Sequence, residues 1–277
     1  MYDVAVIGAG NPEETEMGTS TARAYEHARG YERVEGTDIV ACADIVPENA
    51  ERFAGEFDCA AYEDYREMLR GAEPDVVSVC TPVPTHADIV VGAAETGVPR
   101  AIHCEKPMAD TWADCERMAR VCDERDIQLT FNHQRRFDPA RLEAKRLLNE
   151  GAIGELRRLE TAGKNLLDWG THLIDLCNYF NDEARAEWVL AGLDYTEADV
   201  RYGTHNENQS VALWEYEDGL PCLAVNHHRW ESDVVGAQNR LVGTEGEITV
   251  ATSDDTPLRV RRGDSVEEPD VEEADLY

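Results

Sequence analysis

Asp3-Val4-Ala5-Val6-Ile7-Gly8-Ala9-Gly10, almost at the start of the chain, sets an apolar run directly against a glycine turn. A helical pattern over residues 17–29 follows. Strand, glycine turn and helix in that order offer free backbone N–H groups and the positive end of a helix dipole to a pyrophosphate. The regular Gly-x-Gly-x-x-Gly spacing is broken, because Asn11-Pro12-Glu13-Glu14-Thr15-Glu16-Met17 separates Gly10 from Gly18. Gly18 is expected to take the third glycine's place, with the lengthened turn looping out and its glutamates facing solvent. A plain glycine turn is the alternative.

Working outward, residues 38–43 read as a second strand, ending in Asp44, and residues 47–56 as a helix. An acid there can accept from the adenosine ribose hydroxyls and repel a 2′-phosphate. With Ile45 next and no arginine close behind, it points to NAD over NADP. Asp44 could instead cap the following helix. Residues 75–80 are apolar on both faces, as a buried parallel strand requires. They lead into Thr81-Pro82-Val83-Pro84-Thr85-His86 and a helix over 87–96. The next strand, 100–104, ends in Glu105-Lys106-Pro107, a helical pattern covers 112–125, and a strand at 127–131 follows. This alternation predicts an α/β fold with a doubly wound parallel (Rossmann) sheet, whose ligands lie at the carboxyl ends of the strands. Gly8, Asp44, Thr81 and Lys106 all fall at such ends. Lys106 is also one of only three lysines, with Lys145 and Lys164.

The pattern then changes. A helix over 139–149 closes on turn glycines, and residues 188–195, 211–216, 220–225 and 247–250 read as strands, with Asp218-Gly219 as a hairpin turn. Two-residue turns mean antiparallel pairing. The second domain is therefore expected to be α+β with a mainly antiparallel open sheet. The boundaries read as a dinucleotide-binding domain at 1–126 and a substrate-binding and oligomerisation domain at 127–277, with residues 264–277 as an acidic solvated tail. An open sheet needs cover, so a homo-oligomer is expected. One helix, 168–177, interrupts the strands. It carries Asp168 and His172, four apart and so on one face. An aspartate beside an imidazole fixes its tautomer and raises its basicity, as proton transfer needs. An N-cap aspartate with a half-buried histidine is the plainer alternative. His205, His227 and His228 read as strand-surface histidines, with pocket residues as the alternative.

Among the 277 residues, 57 acidic side chains face 26 basic ones, for a formal net charge of −31 at pH 7. Acid spread over the whole length points to concentrated salt, where screening collapses self-repulsion. The same field opposes phosphate backbones, which excludes a nucleic-acid partner. No apolar run approaches membrane-spanning length, which excludes a membrane partner. Met1 leads into the first strand with no basic leader, so a cytoplasmic protein is expected. The eight cysteines form no Cys-x-x-Cys and no cluster with histidine. Reduced thiols and no metal site are expected.

Together, Gly8-x-Gly10, Asp44, Thr81-Pro82 with His86, Glu105-Lys106-Pro107 and Asp168-x-Gly170-x-His172-x-x-Asp175 resemble the glucose-fructose oxidoreductase/inositol dehydrogenase (Gfo/Idh/MocA) family, from about Tyr2 to Ile248. The resemblance implies an NAD(P)-dependent dehydrogenase or reductase moving hydride between the nicotinamide and a sugar, cyclitol or related polyhydroxylated small molecule. By position, Lys106 would hydrogen-bond the reacting oxygen, His172 would move the proton and Asp168 would orient it. Gly8, Gly10, Gly18, Asp44, Ile45, Thr81, Pro82, His86 and Glu105 would hold NAD, with NADP less favoured. His133, Arg136, Lys164 and Asn165 would face substrate, and the Lys106-Pro107 peptide would be cis. The chain departs from the family pattern in the lengthened glycine turn, in a short Gly154–Asp168 segment, and in how soon it ends after Gly246. From the last, the second sheet is expected to lack an edge strand. Two other functions stay open: a lyase or glycosidase with retained NAD, and a dinucleotide-binding sensor without turnover.

Overall fold

The computed structural model describes residues 1–13, 23–201, 203–226 and 234–272. Gly18, the end of the lengthened turn, His227, His228 and the last five residues lie outside the described residues. The chain divides into two compact units. The first comprises Met1–Asn132 with Val200–Thr204, and the second comprises His133–Asp199 with the residues from His205 onward.

In the first unit the strands are β1 (Tyr2–Ile7), β2 (Thr37–Ala43), β3 (Ala60–Tyr62), β4 (Val76–Val79), β5 (Ala101–Cys104) and β6 (Gln128–Phe131). The helices are α1 (Arg23–Glu32), α2 (Pro47–Phe57), α3 (Tyr65–Ala72), α4 (Val83–Thr96) and α5 (Trp112–Asp123). All the strands pair in parallel, in the order β3-β2-β1-β4-β5-β6. The chain steps to one side of β1 for β2 and β3, and to the other for β4 to β6. The crevice between the ends of β1 and β4 is thus the point where strand order reverses, where such sheets bind ligands. The sequence explains the burial: Val4, Val6, Val77 and Val79 are fully buried, on strands that are apolar on both faces. Local signals start the helices. Asp64 accepts from the Arg66 and Glu67 N–H groups ahead of α3, and Thr111 from Asp114 ahead of α5. Helix α4 begins at Val83, earlier than expected, because Pro84 is tolerated in a first helical turn that would leave its N–H unbonded anyway.

The second unit begins with a short 3-10 turn, Gln134–Phe137, then α6 (Pro139–Asn149), β7 (Leu156–Gly163), α7 (Gly170–Phe180) and β8 (Ala186–Asp194). The chain then returns to the first unit for Val200–Thr204, where the two-residue strands β9 (Val200–Arg201) and β10 (Thr204–His205) flank Gly203. After them come β11 (Gln209–Tyr216), β12 (Pro221–Asn226), β13 (Ala237–Gly243), β14 (Glu247–Thr252), β15 (Leu258–Arg262) and β16 (Ser265–Glu267). Eight strands form one sheet, in the order β16-β15-β14-β13-β7-β12-β11-β8. It is antiparallel except where β12 runs parallel to β7. Leu159, Trp214, Tyr216, Leu241 and Ile248 of the sheet form one buried cluster with Leu176 and Phe180 of α7. On β11 the alternation is strict: Ala212 and Trp214 point inward, and Val211 and Leu213 are exposed on the open face.

Three expectations need correction. The domain boundary lies beyond 126, because β6 pairs with β5 and keeps residues to Asn132 in the first unit. Three strands follow Gly246, so the sheet extends past the expected missing edge. Within the expected tail, Ser265–Glu267 pairs with β15 as β16.

Candidate active site

A cleft of about 1000 Å³ opens at the carboxyl ends of β1, β2 and β4, and Gly8, Gly10, Asp44, Ile45, Thr81 and Pro82 are among the residues lining it. Gly8 and Gly10 have φ of 87° and 63°, which L side chains adopt only with strain. At Gly8 a Cβ would also stand 2.7 Å from Thr81 Cγ2 and 3.0 Å from the Cys80 carbonyl carbon. Only glycine lets the turn come this close to the end of β4. Asp44 Oδ2 accepts from the Gly10 N–H at 2.8 Å, and Oδ1 from the Val46 N–H at 2.9 Å. Each oxygen keeps a second acceptor site for a ribose hydroxyl. Asp44 is not the cap of α2, whose N-cap is Val46. Ile45, 91% exposed, offers an apolar rim. The residues present therefore fit a dinucleotide: a glycine turn for the phosphates and an acid for the ribose.

His86 and Glu105 take other parts. His86 is fully buried, its Nδ1 2.9 Å from the Pro107 carbonyl and its Nε2 2.8 Å from the Thr81 carbonyl. Its ring braces the end of β5 against the end of β4 and does not line the cleft. The Glu105 carboxylate, also buried, accepts from Asn132 Nδ2 at 2.7 Å and faces His27 Nε2 at 2.9 Å. Its second oxygen accepts the Lys106 N–H at 3.2 Å. The other nitrogen of His27 lies 2.6 Å from Ser78 Oγ. Burial works against charge on His27, but the Cys80 sulfur and the Glu105 carboxylate outweigh it and push the imidazole up to about 10. Burial likewise opposes the Glu105 carboxylate, but hydrogen bonding and charge from His27, with help from Asn132 and Arg23, hold it down at about 2. Neighbouring His103 falls to about 4, by burial first and then by the charge on His27. Lys106 is half-buried at the end of β5, and its peptide bond to Pro107 is cis.

In the second unit, α7 begins at Gly170, so Asp168 lies in the turn before the helix and not on its face. That turn hangs on three side-chain acceptors. The Leu166 N–H donates to Glu207 Oε1, the Asp168 N–H to Asn206 Oδ1 at 3.3 Å, and the Trp169 N–H to Asn165 Oδ1 at 2.6 Å. Asn165, 3% exposed, thereby has its Oδ1 committed to the loop. Lys164 stands 5.0 Å over the Trp169 ring, and Arg135 stacks on the same ring at 4.0 Å. His172, buried in the first turn of α7, meets the His133 ring edge-on at 5.5 Å. His133 Nδ1 also lies 3.8 Å from Asp175 Oδ2. Arg136 grips Asp175 with two bonds, of 2.7 and 2.6 Å, and reaches Glu183 at 2.7 Å. Its guanidinium therefore locks α7 in place, a different part from the substrate contact expected of it.

His27, Ser78, Asn132 and Glu207 were not foreseen. Asn132 ends a strand, so the rule that singled out Glu105 applies to it as well. His27 sits on a helix and carries no such signal. Among the described residues no group of three or more His, Cys, Asp and Glu side chains could hold a metal ion, and no helix is long and apolar enough to cross a membrane.

The glycine turn, Asp44 and the cleft come together where the strand order of the doubly wound parallel sheet reverses, an arrangement that fits a dinucleotide. Residues 2–133 match the family model described as "Oxidoreductase family, NAD-binding Rossmann fold". The 2,7-anhydro-N-acetylneuraminate hydratase of Mediterraneibacter gnavus is 36% identical over 118 residues, which are 43% of this chain and 30% of that protein. The inositol 2-dehydrogenase of Gluconacetobacter diazotrophicus is 30% identical over 201 residues, 66% of this chain and 57% of that protein. The chain thus spans less than two thirds of the length of these curated relatives. The crystal structure of an NAD binding oxidoreductase from Klebsiella pneumoniae superposes with a TM-score of 0.75 at 22% identity, over 99% of this chain and 78% of that one. Both units therefore share the fold of that oxidoreductase.

Proposed function

We propose that this chain is an NAD-dependent dehydrogenase or reductase acting on a sugar, cyclitol or related polyhydroxylated small molecule. The observation that carries the reading is the cleft at the ends of β1 and β4, with Lys106 held at the neighbouring end of β5. Relatives named as inositol dehydrogenases support the substrate class. Asp44 supports NAD over NADP: its carboxylate, beside Glu63 in the same cleft, repels a 2′-phosphate.

The bound dinucleotide would supply the hydride acceptor. The rest of the chemistry falls to the chain. The hydroxyl proton must leave as the C–H electron pair departs, so a cation and a base have to meet on one oxygen. In this reading Lys106 donates a hydrogen bond to that oxygen, a ring nitrogen of His172 takes the proton, and Asp168 orients the imidazole. His133, edge-on to His172, and Lys164 face the substrate. The −31 charge is read as adaptation to concentrated salt, and the open face of the second sheet as the surface of a homo-oligomer.

The test is absorbance at 340 nm in high-salt buffer, offering NAD and NADP separately against sugars, inositols and sugar acids. NADH should accumulate with one substrate class, and Lys106→Ala or His172→Ala should lower kcat by about 100-fold or more while NAD binding persists. Unchanged kcat in both variants defeats the reading. The likeness to an anhydro-sialic acid hydratase favours a second chemistry, with NAD retained through a transient oxidation. That chemistry converts substrate with no net NADH.

A further inference from the structure

His27 belongs to none of the roles assigned above, yet it is among the most tightly engaged side chains in the first unit. It projects from α1 to meet Glu105, 78 residues further on, and both side chains are less than one tenth exposed. We propose that His27 is a positioning residue for Lys106, acting through the Glu105 carboxylate. The catalytic half of this inference rests on the dehydrogenase reading, while the structural half rests on hydrogen-bond geometry alone.

The chain of contacts is short. Ser78 on β4 and Glu105 at the end of β5 lie on opposite ring nitrogens of His27, at 2.6 and 2.9 Å. One imidazole therefore ties two neighbouring strand ends to α1. Asn132, at the end of β6, donates 2.7 Å to the same Glu105 Oε1. With that oxygen held from two directions, the carboxylate can no longer turn about its terminal bond. The opposite oxygen is then fixed where it accepts the Lys106 N–H at 3.2 Å. The backbone that carries the lysine is thus held from beneath by a carboxylate whose orientation α1 sets. Carboxylates taken out of water need such partners, and reacting groups need supporting groups that do not move.

Two readouts decide the matter, in His27→Gln and Glu105→Gln. In wild type the Lys106 amide should exchange slowly with deuterium, and in His27→Gln about tenfold faster. In the same variant kcat should fall about 100-fold, as small misplacements of reacting groups do, with KM and the Kd for NAD within about twofold of wild type. Unchanged exchange at Lys106 overturns the proposal. So does unchanged kcat, or a loss of NAD affinity as large as the loss of kcat, which marks a merely structural pair. If His27→Gln does not fold, Glu105→Gln carries the same test, since it keeps the shape and removes the charge that His27 holds. Lys106→Ala retaining wild-type kcat would defeat the dehydrogenase reading instead, and amide exchange would then decide the positioning claim by itself.

Discussion

At the scale of single residues, the buried pair of His27 and Glu105 makes stability depend on pH in a defined direction. The folded pKa of Glu105, about 2, lies below its ordinary 4.5, so its contribution is present above 4.5 and lost as pH falls through 2. The folded value for His27, about 10, lies above its ordinary 6.5, so its contribution is complete below 6.5 and lost as pH rises through 10. Support from the pair is therefore greatest between 4.5 and 6.5. Denaturant titrations of wild type and the double variant His27→Gln/Glu105→Gln should differ most near pH 5.5 and converge toward pH 10; a gap of constant size would mean that the pair is not ionised. Of these two residues only Glu105 could be found in the sequence. Position along a strand is a local property, so Gly8, Asp44, Thr81 and Lys106 could be read from it. A distant partner is not a local property: nothing near His86 or Arg136 in sequence announces the Pro107 carbonyl and the Asp175 carboxylate that occupy them.

At the scale of elements, strongly patterned or continuously apolar segments were legible, and a mid-sheet strand of mixed polarity was not. The alternation of β11 marked it as a strand with one open face, and Pro139–Asn149 was bounded by its own proline and turn glycines. Strand β7 lies mid-sheet, buried on consecutive residues from Leu159 onward, and so offers no alternation to read. The turn before α7 depends on a distant acid in the same way. Glu207, 2% exposed, accepts from the Leu166 N–H, from Ser210 Oγ at 2.9 Å and from Asn226 Nδ2 at 3.3 Å. Glu207→Ala leaves two buried donors and one half-buried donor without that acceptor and should cost about 2 kcal/mol in unfolding free energy. Because the turn carries Asp168 and leads into His172, kcat should fall as well, whereas Glu207→Gln, which keeps an acceptor oxygen, should lose less of both. Thermal unfolding and steady-state rates on the two variants separate these outcomes, and equal losses in both would remove the loop-holding role.

At the scale of the whole molecule, charge and exposed apolar surface pull in opposite directions. With 57 acidic and 26 basic side chains, neighbouring carboxylates repel over distances that only salt can shorten, from about 10 Å at 0.1 M to about 3 Å at 1 M. Leu190, paired with Leu213 across β8 and β11, is 68% exposed, and Leu213 is 38% exposed. Water-facing leucines on adjacent strands favour association, which the net charge opposes at low ionic strength. Both effects predict the same response. In about 3 M KCl the chain should be folded and self-associated, and dilution to about 0.1 M should lower the unfolding midpoint and dissociate the assembly. Light scattering and thermal unfolding across a KCl series read the two separately. Replacing Leu190 and Leu213 together by serine should abolish association at high salt while leaving most of the salt-dependent shift in unfolding midpoint, because that shift comes from charge and not from the apolar face. A midpoint equally high in dilute buffer would mean that the acidic surface costs this fold nothing, and the argument for salt adaptation would then fail even if the apolar face still self-associates.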